Sequence, residues 1–258
     1  MNLSTITGII TAVSFLIFAY IIDGGYLQSL FSLPAALIVF GGTMGALIAS
    51  FSLKEINKMP KLFMQSLQNK VTSAEEIIAF FINLSSKART QGLLSLEEEI
   101  GSNDFKQFDP IIKDCLELVV DGTDPNLLRS IIENKIDINF ILANENAAVF
   151  ETAGSLAPTL GIVGTIMGLI HTLGTLSEPE ELGPAIARTF IAILYGVSSA
   201  SLFWLPVAHR IKYTAAKKRF SQKLILEGTL SIQKGENPLI LEKKLRAYIA
   251  QSKQLTKQ

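Results

Sequence analysis

Residues 152–177, TAGSLAPTLGIVGTIMGLIHTLGTLS, carry no acidic or basic side chain except His171. A hydrocarbon core about 30 Å thick is crossed by roughly 20 helical residues rising 1.5 Å each, so this stretch suffices for one span. Residues 189–208, TFIAILYGVSSASLFWLPVA, carry no charge at all and supply another. The segment between them, TLSEPEELGP (175–184), is short, acidic and proline-bearing, which makes the pair a hairpin.

Moving outward, residues 1–22 and 24–53 are also free of charge, separated by DGGYLQS (23–29). That segment is long enough only for a turn, so a second hairpin precedes the first. The expected fold is an all-α membrane protein with four transmembrane helices in two hairpins and a cytoplasmic helical region. Residues 1–53 form the first hairpin (spans about 3–22 and 30–51) and residues 148–209 the second (spans about 156–176 and 184–208). Residues 54–147 are the cytoplasmic region and 210–258 a basic helical tail. The opening MNLSTITGIITAVSFLIFAYIID lacks a basic start and a small-residue cleavage pattern, so it is expected to be a retained span.

The composition agrees: the 258 residues are 48% hydrophobic and 18% charged, too apolar for an ordinary soluble domain. The 23 basic and 23 acidic residues cancel, yet they are segregated. No Lys or Arg occurs before Lys54 or between Lys135 and Arg188. Lys54, Lys58 and Lys61 follow span two, and Arg210, Lys212, Lys217, Lys218 and Arg219 follow span four. Basic residues mark the cytoplasmic side, which puts both termini and residues 54–147 there. Arg188 falls at the outer entrance of span four, a place for snorkelling to headgroups.

In the cytoplasmic region, Ser73 with Glu76 is a capping box, and Thr123-Asp124-Pro125 starts another helix with proline at its first turn. Leu127, Leu128, Ile131 and Ile132 predict its apolar face, with helix continuing into span three. Span four should run on to about Leu226, and Gly235-Glu236-Asn237-Pro238 should start a last helix over about 238–252. The region is expected to form one compact helical layer.

Enzyme chemistry finds no foothold. There is no phosphate-binding glycine loop or dinucleotide fingerprint, and His171 and His209 have no ligand companions at metal spacing. The lone Cys115 excludes a disulfide framework and a cysteine zinc site. No metal, cofactor or nucleic-acid partner is expected. Asp23 and Glu151 sit at span borders, and the spans hold hydroxyls without a carboxylate at depth. A charge in hydrocarbon needs a compensating group, so any ion pathway takes its titrating acid from a partner. Gly41-x-x-x-Gly45 and Gly164-x-x-x-Gly168 allow close helix approach, within the chain or against a partner, and Pro158 and Pro206 each remove a backbone donor near an inner span end.

ETAGSLAPTLGIVGTIMGLIHTLG, GPAIARTFIAILYGVSSASLFWLPVA and ARTQGLLSLE, with IVFGGTMGALIASF and LEGTLSIQKGENP, resemble the MotA/PomA family of flagellar stator subunits over nearly the whole chain. The resemblance implies a homo-oligomer in the bacterial inner membrane, a pentamer around a dimer of a MotB-like single-span subunit that supplies the ion-binding aspartate and a peptidoglycan anchor. It implies torque on the rotor protein FliG through Arg89 and Glu97, with Glu98 and Glu99 beside them. It matches Pro158 and Pro206 to residues coupling ion occupancy to conformation, and Thr165 to a pathway hydroxyl. Ala192 and Ile193 stand where sodium-driven members carry paired hydroxyls, and Leu205 where an Asn is frequent. Protons (H+) are therefore favoured over Na+. An ExbB/TolQ-type energiser shares the look of APTLGIVGTIMG but has three spans and another cytoplasmic layout. A self-sufficient channel would require an intramembrane acid that this sequence lacks.

Overall fold

The computed structural model describes residues 3–67, 72–100, 108–174 and 179–255, and every regular element among them is helical. The chain divides into two compact units, one of Met1–Asn69 with Ala143–Tyr213, the other of Lys70–Leu142 with Thr214–Gln258.

In the first unit, helix α1 (Leu3–Ile22) has 20 residues and so reaches about 30 Å. Helix α2 opens over Leu33–Ala36 with Ser32 as cap and proline in its first turn. It widens into a π-turn over Leu37–Gly41 and resumes over Gly42–Ser50. Short helices α3 (Leu53–Ile56) and α4 (Met59–Ser66) follow. The charge-free stretches of the second hairpin lie in two long helices, α8 (Pro125–Leu173) and α9, which runs over Pro179–Ser199, a π-turn at Ala200–Trp204, and Leu205–Gln233. The hairpin turn at 175–178 lies outside the described residues.

Three described helical stretches, Leu27–Ser50, Pro125–Leu173 and Gly183–Gln233, are long and apolar enough to cross a membrane. The apolar part of α1, Ile6–Ile22, is shorter. Its whole length is consistent with the four-span expectation. Phe15 and Phe18 on α1 are 68% and 60% exposed, the surface of a helix facing lipid or another chain and not water.

The expected boundary at residue 54 is not the boundary of the compact units. Met59 of α4 is buried with Leu47, Val149, Phe150 and Val207. Apolar contact thus draws α3 and α4 into the first unit, and the second begins only at residue 70.

The second unit holds α5 (Ala74–Gln91), α6 (Leu96–Ile100), α7 (Ile111–Val120), the beginning of α8, the end of α9, and α10 (Pro238–Leu255). The capping box is present: Ser73 Oγ accepts from Glu76 N at 3.2 Å and Glu76 Oε2 accepts from Ser73 N at 3.1 Å. Asp124 Oδ1 caps α8 by accepting from Asn126 N at 2.8 Å, and Asn237 Oδ1 caps α10 through Leu239 N at 2.9 Å. The apolar face of α8 is narrower than the sequence suggested. Leu128, Ile132 and Ile136 are fully buried at four-residue spacing, while Leu127 and Ile131 are 54% and 41% exposed. A stripe repeating every four residues is all that one core contact of a helix requires. Leu224, Ile225 and Leu241 close the same core, so α9 stays helical past Leu226 to Gln233 because its continuation is buried.

Cys115 is fully buried in this core. Burial pushes its thiol up to about 12. A thiol with a raised value binds its proton more tightly folded than unfolded. Its contribution to stability is therefore complete below about pH 9 and lost as the pH rises towards 12. The thiol should resist maleimide at pH 8 in the native protein and react promptly in denaturant. Rapid native labelling would show that this core is open.

Candidate functional site

Along the second hairpin, glycines set how closely α8 and α9 approach. A Cβ built on Gly161 would stand 2.7 Å from the Ala192 carbonyl oxygen, and one on Gly196 would stand 2.5 Å from that of Ala157 and 3.0 Å from Pro158 Cα. Backbone meets backbone at both points. Gly164 faces Ala192 Cβ, Gly168 faces the Thr189 methyl, and Gly154 faces Leu205. Small residues permit this contact, and dispersion then holds the helices where lipid offers no hydrophobic drive.

Thr165 is buried on that seam. Its Oγ1 lies 3.1 Å from the Gly161 carbonyl in its own helix and 3.2 Å from the Thr189 carbonyl across the seam, donating to either. Thr189 and Thr172, also buried, donate to Ala185 O and Gly168 O. The hairpin interior is thus a row of hydroxyls satisfied by carbonyls. Its titratable border residue, Glu151, is ion-paired to Lys212 at 2.7 Å.

Pro158 lies inside α8 at the point opposite Gly196. Pro206 follows the π-turn Ala200–Trp204, with Leu205 between them. A proline four residues beyond Leu202 removes the donor for its carbonyl, which gives the wider turn its physical cause. Tyr195 pins the middle of α9 to the segment before α2: its hydroxyl donates to Leu30 O at 2.7 Å and accepts from Ser32 N at 3.2 Å.

The glycine pairs read from sequence divide. Gly164 and Gly168 pack inside the chain. Among the described residues Gly41 and Gly45 meet nothing within 4 Å and are exposed; the adjacent Gly42 packs instead, against Leu160. Gly161, Gly196, Thr189 and Tyr195 were missed by sequence reasoning. The triplet Gly161, Gly164, Gly168 on one helical face held the signal for the first of these, and Tyr195 had none.

In the second unit, Arg89 lies in the last turn of α5, which ends at Gly92 with φ of 86°. Gly92 N closes that end on Ala88 O, and its left-handed backbone turns the chain into α6, whose first turn carries Glu97, Glu98 and Glu99. Lys87 pairs with Glu99 at 2.7 Å and approaches Glu98 at 3.8 Å. The Glu99 hydrogen bond and its charge raise the Lys87 value. Arg89 and Glu97 are exposed, and neither forms an ion pair among the described residues. One basic and one acidic group are left facing outward on either side of a tight turn. Glu98, 83% exposed, is held loosely. Among the described residues no cluster of metal-ligating groups occurs.

Residues 103–253 match the family model described as the MotA/TolQ/ExbB proton channel family, and residues 6–92 match that described as motility protein A N-terminal. Motility protein A of Bacillus subtilis is 33% identical over 250 residues, covering 96% of this chain and 91% of that protein. Chemotaxis protein PomA of Vibrio alginolyticus is 28% identical over 253 residues, covering 98% and 97%. The structure of C. jejuni MotAB matches with a TM-score of 0.89 at 27% identity, over 96% of each chain. With the two models together spanning the hairpins and the helical unit alike, the chain belongs to the MotA/TolQ/ExbB proton channel family, in its MotA/PomA motility branch.

Proposed function

We propose that this chain is the channel-forming subunit of a flagellar stator, acting with a MotB-like single-span, peptidoglycan-anchored subunit in the bacterial inner membrane. The observation that carries the proposal is the glycine-packed hairpin, whose buried polar groups are hydroxyls already satisfied by carbonyls. Such a wall offers a hydrogen-bonding surface but nothing that exchanges a proton, so the charge is carried by a carboxylate from the partner. Both termini and the second unit are cytoplasmic in this reading, and the subunits form a ring, a pentamer around the partner dimer. The exposed pair Arg89 and Glu97, with Glu98 near it, acts on FliG. Thr165 serves the pathway as the tie that holds α8 and α9 at fixed spacing, and Pro158 and Pro206 are the points where the hairpin yields.

Protons are the coupled ion, because Ala192 and Ile193 present no hydroxyl to a sodium ion opposite Gly161 and Gly164. In a strain powered by this subunit and its partner, swimming should continue when sodium is withdrawn and stop when the proton-motive force is collapsed. Swimming that follows external sodium would refute the proton assignment, and no swimming under either ion would refute the stator role.

A further inference from the structure

We propose that Leu94 is the apolar anchor of the rotor contact, a protruding side chain that seats in a charge-rimmed apolar pocket on FliG while Arg89 and Glu97 set its register. The proposal rests on the rotor-docking role given above to the turn between α5 and α6, and it names the residue that holds the contact closed.

That turn passes through Leu93–Ser95 as a single 3-10 turn. Three residues complete such a turn, so side chains at i and i+3 lie over one another. Leu93 and Leu96 are thereby placed on one side. Leu96 is fully buried in the core of the second unit, and Leu93 packs partly buried against that core. Leu94, between them, is thrown outward and is 70% exposed. Its support is firm: the Gly92 carbonyl accepts from Ser95 N at 3.2 Å and from Ser95 Oγ at 2.7 Å, and Lys87 ties α5 to α6 through Glu99.

In the sequence flanking the leucine the exposed side chains are polar. Arg89, Thr90 and Gln91 stand on the side of α5, and Glu97 and Glu98 on the side of α6. Exposed charges steer an encounter and fix its register, but one exposed ion pair holds little. An apolar side chain that leaves water on docking provides the hold.

Composition selects the rotor over a second copy of this chain. Permanent subunit interfaces are large, apolar and depleted in charge across their core. Here a single leucine projects between charged residues. A second copy seated permanently on it would also cover Arg89 and Glu97, and neither has an ion-pair partner among the described residues to offset that cost. One apolar tip within a charged rim suits a partner that is met and released repeatedly.

The test compares Leu94→Ala with Leu94→Met, each in the full complex of this chain with its partner subunit. With the complex in nanodiscs on a sensor and FliG in solution, Leu94→Ala should release FliG about tenfold faster, the loss expected when a docked leucine is truncated. Leu94→Met, which keeps the volume, should bind as wild type. The tenfold difference should persist across salt concentrations, whereas Arg89→Ala should change the association rate and its salt dependence. All three variants should melt as wild type, because these side chains are exposed. A photocrosslinking side chain at position 94 should join this chain to FliG. Wild-type release by Leu94→Ala, where Arg89→Ala weakens binding, would overturn the anchor and leave the rotor contact standing. Crosslinks to FliG from position 89 but none from position 94 would do the same. Crosslinks from position 94 to a second copy, or loss of assembly in Leu94→Ala, would assign the leucine to a subunit interface and overturn the anchor. No FliG binding by the wild-type complex would overturn the rotor role together with it.

Discussion

Gly196→Ala, a change of one methyl group, is expected to unfold the second hairpin's packing and abolish motility. The added carbon would sit 2.5 Å from the Ala157 carbonyl oxygen and 3.0 Å from Pro158 Cα, both backbone atoms that no rotamer change moves aside. Span four must back away from span three by about 1 Å, and overpacking of this kind costs about 1–3 kcal/mol. Separation would also break the Thr165 bond to Thr189 O, which bridges the same seam. Gly161→Ala should behave alike, because its added carbon meets Ala192 O at 2.7 Å. Gly45→Ala is the control: its carbon meets nothing within 4 Å among the described residues, so the isolated subunit should melt as wild type. Melting of the detergent-solubilised subunit, read beside swimming, checks all three. A wild-type melting temperature for Gly196→Ala would mean that the helices do not approach as described.

The double variant Arg89→Glu, Glu97→Lys is expected to stop or severely slow swimming while leaving membrane insertion and partner association intact. Both side chains are exposed and neither has an ion-pair partner among the described residues, so reversing them removes no support from the fold. Against a charged rotor surface, each reversal turns attraction into like-charge contact, which costs several kcal/mol where surfaces close. Lys87 provides the contrast. Its pairing with Glu99 and approach to Glu98 link α5 to α6, so Lys87→Glu should lower stability as well as motility. Melting temperature and swimming speed, measured on the same strains, separate the two effects. Normal swimming in the double variant would remove Arg89 and Glu97 from torque generation.

The spans were legible because bare charge is excluded from hydrocarbon, so uncharged runs announce themselves in any sequence. Caps were legible for a similarly local reason: Ser73, Asp124 and Asn237 satisfy backbone donors two or three residues away. What each helix faces was less so. A G-x-x-x-G spacing shows that a face is flat without saying what lies against it, which is why Gly164 and Gly168 found α9 while Gly41 and Gly45 remained exposed. The closest approach, at Gly161 and Gly196, depends on the register between two helices about 35 residues apart in sequence. The unit boundary at residue 70 escaped notice likewise, since Met59 is an ordinary residue until Phe150 and Val207 surround it. For Arg89 and Glu97 the sequence resemblance marked the positions. The structure adds that Gly92 sets them on either side of one turn and that Lys87 engages the acids beside them.

The account stands on a pathway shared between this chain and a carboxylate it does not itself provide. Proton flux into sealed vesicles, driven by an imposed potential, measures this directly when vesicles with the chain alone are compared with vesicles holding the chain and its partner. The chain alone should give no proton or sodium conductance above empty vesicles, and co-assembly should produce proton flux that is lost when the partner's aspartate is replaced by asparagine. Selective conductance through the chain alone, at the level of the assembled complex, would contradict the shared pathway and make this protein a channel in its own right.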